Sequence, residues 1–497
     1  MGNMITSVSK KPRVLPIETN FKLPSPLPSW PKGEGFATGT INLGGLEVSQ
    51  ISEFNKIWAT HEGGPDNLGA TFFEPSPIPK GFFMLGCYAQ PNNKPLSGWV
   101  LVGRDDGTDS SRGGVLKTPL DYTLVWRSES TGIKQDGNGF IWLPVPPIGY
   151  KAVGYVITAS SEKPPLDKSG AFIRTLPMIA NLKCRYGDMT SQIEALVEVY
   201  APFAYFHPDE QYLPSSVGWF FGNGALLYKK GDESNPIPID PTGSNLPQGG
   251  PNDGTYWLDL PIDNAGKEKV KKGDLSSAEA YFHIKPMLGA TFTDLAVWFF
   301  YPFNGPARAK VEFVNIPLGR IGEHVGDWEH VTLRVSNFTG ELWRVYFAEH
   351  SGGTWVNASE VEFQGGNKAV AYSSLHGHAS YAKPGLVLQG NPKLGIGIRN
   401  DTAKSKLVLD AGSRFSIVSA DYLGSAVSVP PWINFYNNWG PKISYDIAEE
   451  LHKIDRLLPG KLKSAFERIV NGLPSEVLGE EGPTGPKVKD YWNGDER

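Results

Sequence analysis

Gly322-Glu323-His324-Val325-Gly326-Asp327-Trp328-Glu329-His330 runs straight into Val331-Thr332-Leu333-Arg334-Val335, and the alternation of the second run is that of a β-strand. Residues two apart on a strand share a face, so Asp327 and Glu329 project with Val331, Leu333 and Val335 towards a core. A desolvated carboxylate needs a cation, a proton or several donors. A bound divalent metal would supply the cation; a buried hydrogen-bonded polar network is the alternative, and the residues alone leave both open. Asn337-Phe338-Thr339-Gly340 reads as the turn of a hairpin. Symmetric pairing about that turn sets His350 opposite Asp327, or Glu349 after a slip of one residue.

Further along, Tyr372-Ser373-Ser374-Leu375-His376-Gly377-His378-Ala379-Ser380-Tyr381 closes another apolar run with two more imidazoles. Seven of the nine histidines lie between His207 and His378, which marks where chemistry is to be sought. In Tyr205-Phe206-His207-Pro208-Asp209-Glu210 the proline ends a strand directly after His207 and leaves Asp209 and Glu210 on a loop. Ala296 to Phe303 reads as a buried strand that turns at Asn304-Gly305. Residues 190–200 have helical spacing and are expected to join two domains. Strands are expected within 361–374 and 407–418, and helices over 447–458 and 461–470, followed by a mobile acidic tail. Lys267-Glu268-Lys269-Val270-Lys271-Lys272 reads as a solvated loop.

A chain of 497 residues exceeds one ordinary core, so two or three domains are expected. With 57 Gly, 41 Pro and 12% aromatic residues, the composition favours β structure rich in turns. The net charge of −5 gives no support to nucleic-acid binding through the overall field. Two cysteines far apart in sequence indicate neither a disulfide framework nor a cysteine zinc site. With no signal segment and no apolar run of membrane-spanning length, the expected location is cytoplasmic with peripheral membrane association. Met1-Gly2-Asn3-Met4-Ile5-Thr6 fits a myristoylation pattern at Gly2, with Lys10, Lys11 and Arg13 following, so residues 1–33 read as a flexible leader and possible acyl anchor.

Residues 34–185 contain an internal repeat. Phe73-Glu74-Pro75-Ser76-Pro77-Ile78-Pro79-Lys80-Gly81-Phe82, continuing to Gly86-Cys87-Tyr88, is echoed by Trp142-Leu143-Pro144-Val145-Pro146-Pro147-Ile148-Gly149-Tyr150, continuing to Gly154-Tyr155-Val156. Two such copies imply repeated sheets about a pseudo-symmetry axis. This block resembles the β-prism-like modules of membrane-associated trafficking proteins.

Tyr205 to Glu210, Pro214-Ser215-Ser216-Val217, Asn223 to Tyr228, Gly326 to His330 and His376-Gly377-His378 together resemble the plant Vps62-related family over nearly the whole chain. A more distant similarity is to the necrosis-inducing NLP cytolysins: His324-x-x-Asp327-Trp328-Glu329 has the spacing of their heptapeptide, and Leu375-His376-Gly377 with Tyr381 is similar to a later motif. That resemblance implies an NLP-like β-sandwich over 186–445, with added loops, and helices and a tail over 446–497. It implies His324, Asp327 and Glu329 as ligands of a divalent cation, with Asn304 where the family has Asp, His376 nearby, and a lipid headgroup as partner. Gly326 replaces the family's second heptapeptide histidine. The overall expectation is a mainly β chain.

Mixed imidazole and carboxylate ligands suit Ca2+, Mg2+, Mn2+ or Zn2+. A cation there would attract a lipid phosphate, and His330, His376 or His378 would be placed to protonate a leaving group. His207, Asp209, Glu210, Trp328, His350 and Tyr381 complete the candidate surroundings. The expected function is metal-dependent recognition, and possible phospholipase-like hydrolysis, of inositol-phosphate sphingolipid or phospholipid headgroups. A non-catalytic trafficking module and a carbohydrate-binding β-prism protein are the alternatives. The phospholipase D pattern begins at His283-Ile284-Lys285 but lacks its aspartate, because Ala290 stands at that position.

Overall fold

The computed structural model describes residues 20–31, 36–108, 114–167, 173–174, 189–457 apart from 312, 351, 392, 394, 421–426 and 444, then 460, 463–464 and 483–496. Gly2, its basic neighbours and most of 461–470 lie outside the described residues. The chain divides into two compact units. One comprises Met1–Leu23, Glu34–Tyr186 and Asn337–Thr339, and the other Pro24–Gly33, Gly187–Ser336 and Gly340–Arg497.

Among the described residues the first unit is built on antiparallel sheets of four, three, three and two strands. The repeat seen in the sequence sets its geometry. Gly81 and Gly149, at equivalent points of the two copies, both take left-handed backbone, with φ of 84° and 85°. Gly86 and Gly154 then bring the copies together. A Cβ on Gly154 would lie 2.6 Å from the Leu85 carbonyl oxygen, and the Cys87 N–H donates to the Tyr155 carbonyl at 3.1 Å.

The second unit is a β-sandwich with a third layer. Its central sheet has six strands in the order Gly352–Asn357, Leu342–Glu349, His324–Ser336, Phe292–Asn304, Ala280–Met287, Phe415–Ala420. On one face Tyr301 meets the neighbouring sheet, its hydroxyl 3.3 Å from Ser373 and its ring edge-on to Phe206. That sheet pairs Phe203–Tyr205 in parallel with Lys368–Ser373, and Ser380–Tyr381 extends it. The other face carries an aromatic core of Phe300, Trp328, Trp432 and Trp439, closed by the Val217–Gly222 helix. Both long central strands are buried almost throughout.

Three expectations are corrected. The hairpin does not set His350 opposite Asp327: a bulge between Arg334 and Val335 shifts the register, so Val331 pairs with Phe347 and the ladder stops there. Within the supposed leader, Ser25 exchanges two hydrogen bonds of 2.9 Å with the Asn367 side chain, and Trp30 packs on Tyr200 of the Met189–Tyr200 helix. In the tail expected to be mobile, residues 483–496 are held by rings: Trp492 stacks on His283 at 3.8 Å and Tyr491 on His330 at 5.0 Å.

The tail also delivers charge. Glu496 accepts from Lys285 at 3.1 Å and from Thr332 at 2.7 Å, and lies 3.3 Å from His330 Nε2. Burial opposes ionisation of Glu496, but His330 and Lys285 outweigh it and hold the carboxyl at about 2. Arg334 forks onto Asp294 at 2.9 and 2.8 Å and reaches Asp495 at 2.6 Å. Removing one partner strands a buried cation, so Glu496→Gln is expected to cost roughly 3–5 kcal/mol in urea unfolding. Because its folded value lies below the ordinary 4.5, the Glu496 contribution is complete above that pH. It is lost as pH falls towards 2, and an acid melting series on wild type and variant checks that the difference closes there.

Candidate functional site

A regular strand cannot aim residues three apart at one target, yet His324 and Asp327 interact electrostatically here. Gly326 makes this possible. Its φ of 68° interrupts the pleat, so Val325 joins Trp328 in the aromatic core and His324 turns to the side of Asp327. No side chain fits there, because a Cβ would stand 2.5 Å from the Trp439 carbonyl oxygen. Across the ladder Asn304 pairs with His324, and Tyr301 with Asp327.

Asp327 Oδ2 accepts from His378 Nδ1 at 2.9 Å, and His378 Nε2 donates to the Tyr212 carbonyl at 3.0 Å. Both partners of the ring are acceptors. Tyr301 stacks flat on that ring at 3.8 Å. Burial works against the Asp327 charge, but the His378 hydrogen bond and the nearby imidazoles hold its carboxyl below the usual range. Glu210 ties the two loops together. Its Oε1 accepts the N–H groups of Gln211 and Tyr212 at 2.9 Å, and its Oε2 accepts the His376 N–H at 2.7 Å.

Two imidazoles are oriented by backbone carbonyls. His324 Nδ1 donates to the Gly326 carbonyl at 2.9 Å and His376 Nδ1 to the Pro306 carbonyl at 3.0 Å, so in the neutral ring Nε2 is the acceptor nitrogen. Burial pushes the His324 pKa down, although Asp327 pulls the other way. Asn304 commits its amide NH2 to the Gly322 and Gly305 carbonyls at 2.7 and 3.1 Å, so its oxygen faces elsewhere. Gly305 lets Tyr212 and His376 close in, since a Cβ there would meet the Tyr212 ring at 2.4 Å. His376, His378 and His350 all adopt positive φ, of 70°, 55° and 58°, which the surrounding bonds must impose.

His324, Asn304, Asp327, His376, His378 and Glu210 therefore fall in one neighbourhood. Glu329 and Tyr381 adjoin it: after burial, the charges of Glu349 and Glu329 push the Tyr381 phenol up. His350 reaches the 376–378 turn, bonding Asn400 Oδ1 at 3.1 Å with its ring against Gly377. The structure does not bring His330 or Trp328 there, because both project from the opposite face of the sheet. His207 turns to its own loop, where Nδ1 accepts from the Asp209 N–H at 3.2 Å and Asp209 is exposed. Tyr301 and Tyr212 were missed by sequence reasoning; both look like ordinary β-strand or loop aromatics until the register is known. Gly326→Ala is expected to lose about 1–3 kcal/mol from backbone strain alone and to separate His324 from Asp327. Melting temperature and the imidazole NMR shifts of His324 and His378 test both effects.

No curated protein matches the chain. Several solved structures resemble parts of the chain. One, described as "Toxin fold as basis for microbial attack and plant defense", is 15% identical over 40% of this chain and 70% of its own, with a TM-score of 0.24. NLPPya in complex with glucosamine is 15% identical over 38% of this chain and 66% of its own, with a TM-score of 0.22. GNIP1Aa from Chromobacterium piscinae is 23% identical over 27% of this chain, with a TM-score of 0.22, and the match spans 25% of its length. The model of vacuolar protein sorting-associated protein 62 matches residues 17–178 and 172–496, and the chain belongs to that family.

Proposed function

We propose that the second unit recognises phosphate-bearing headgroups of membrane lipids, inositol-phosphate sphingolipids or phospholipids, through a divalent cation held by His324, Asp327 and Asn304 with Glu329 alongside. The observation that carries this reading is the orientation of His324: its Nδ1–H is fixed on a carbonyl, the arrangement that presents Nε2 as a ligand. Among the described residues no three His, Cys, Asp or Glu side chains are grouped as metal ligands. The proposed set instead joins His324 and Asp327 with the amide oxygen of Asn304, whose NH2 is turned to the Gly322 and Gly305 carbonyls. One imidazole with carboxylate and amide oxygens suits Ca2+, Mg2+ or Mn2+, and Zn2+ is also compatible.

A bound cation supplies positive charge for a phosphate and Lewis acidity towards its oxygens. The chain's own residues favour binding over turnover. His330 is on the wrong face, and His378 has both nitrogens engaged. His376 remains as the group able to move a proton, at Nε2. No helix among the described residues is long and apolar enough to cross a membrane, so the proposed association is peripheral. A vacuolar-sorting family name agrees with a module that works at membranes.

Metal titration of wild type, His324→Ala and Asp327→Asn is expected to show one ion bound by the wild type and affinity lower by on the order of 10- to 100-fold in the variants. Co-sedimentation with vesicles containing glycosylinositol phosphoceramide is expected to need the ion and to fail with chelator. Released headgroup, lost in His376→Gln, would mark the enzyme; binding without release would mark the module. Equal metal content in all three proteins would falsify the proposal.

A further inference from the structure

His283 is fully buried on the Ala280–Met287 strand, and neither of its ring nitrogens has a hydrogen-bond partner among the described residues. Buried polar groups are ordinarily bonded, so an imidazole left in this condition needs a cause. Its ring lies flat against the Trp492 indole, with 3.8 Å between centroids.

Trp492 belongs to a C-terminal strap, residues 483–496, that is held at two places. Its first half is tied to the 434–439 segment: the Trp439 N–H donates to the Pro483 carbonyl and Lys487 Nζ to Asn434, both at 2.7 Å. Its second half lies on the sheet through Trp492, through Tyr491 on His330, and through Glu496, which accepts from Lys285 and Thr332. Lys285 also donates to the Tyr491 and Gly494 carbonyls at 3.1 and 3.2 Å, so a cation of the sheet grips the strap directly. Residues 490–496 are thus able to lift while 483–488 stay anchored.

A proton on His283 acts against this grip. The charged groups facing the ring are Lys285 on its own strand, and Lys487 and Glu496 from the strap. The Phe415–Ala420 strand beside it carries no ionisable side chain, and the one carboxylate of Phe292–Asn304, Asp294, is forked by Arg334. Burial first, then Lys285, push the His283 pKa from the ordinary 6.5 down to about 3, although Glu496 pulls the other way. Under a closed strap the ring stays neutral; under a lifted strap water reaches it and it charges near its ordinary value. The closed form is therefore fully favoured above 6.5 and loses ground about ten-fold per pH unit as pH falls towards 3. Glu496 adds to this chiefly below its ordinary 4.5, so between those two values the response belongs to His283.

We infer that residues 490–496 are a latch opened by protonation of His283, a switch that uncovers the Trp298 and His330 face of the sheet in mildly acidic surroundings. The latch lies on the face opposite the proposed cation site and does not rest on that reading.

Hydrogen exchange of the full chain between about pH 7 and about pH 5, corrected for the intrinsic pH dependence of exchange, tests the latch. The amides to follow are those of Trp492 and Gly494, which bond the Lys489 and Tyr491 carbonyls. Wild type is expected to lose protection there by roughly 25-fold, with the amides of the Phe292–Asn304 strand unchanged. His283→Phe keeps a ring against Trp492 and removes the titrating nitrogens, and is expected to hold its protection within about two-fold. Trp492→Ala is expected to open the latch at every pH and to return the His283 titration, followed by NMR, towards 6.5. This last reading stands even where His283→Phe fails to fold. Wild-type protection that does not change with pH, an equal fall in folded His283→Phe, or a His283 titration unmoved in Trp492→Ala would overturn the inference.

Discussion

A strand covered on both faces has no solvent in which to leave a charge, and the His324–Ser336 strand carries charged or ionisable groups on both. Everything near the centre of the second unit answers that constraint. Asp327 is met by His378, His330 by Glu496, and Arg334 by Asp294 and Asp495. Asp294 faces Arg334 directly across the ladder from the adjacent strand, and the other partners come from a loop and from the far end of the chain. The two faces thereby acquire different characters. One side is closed by the tail and its rings, whereas the Asp327 side is bordered by short loops that hold imidazoles in left-handed backbone.

Gly326 connects this constraint to function. Without the break in the pleat, His324 would lie with Trp328 among aromatic rings, and Asp327 would have only His378 for company. With it, an imidazole, an amide and a carboxylate from two adjacent strands share one side. What reads in the sequence as the loss of a family histidine is also the gain of a backbone conformation that only glycine reaches there.

Much of this was legible from residue patterns. The two long strands, the helix over 190–200 and the repeat with its equivalent glycines follow from periodicity and motif spacing, whereas the nearness of His376 to Asp327 was what the NLP resemblance implied. The failures have physical causes. Strand parity correctly puts His330 on the face away from Asp327, yet counting titratable residues grouped them together. The His350 register failed because one bulged residue is invisible to symmetric pairing. The lysine run read as a loop is the Asn264–Lys271 helix, which Gly266 and a single buried apolar residue, Val270, hide by giving almost no helical period. The tail looked mobile from its Gly and Pro content, and Tyr491, Trp492 and Glu496 reversed that through contacts no local window contains.

Glu496 lies 211 residues from Lys285 and 166 from His330 in sequence. During synthesis the central strands emerge long before the segment that neutralises them. Until it arrives, Lys285 and His330 lack the carboxylate they meet in the folded unit, and the rings that Tyr491 and Trp492 cover are bare. Maturation of the second unit thus waits on the strap, however quickly the rest of the sheet pairs.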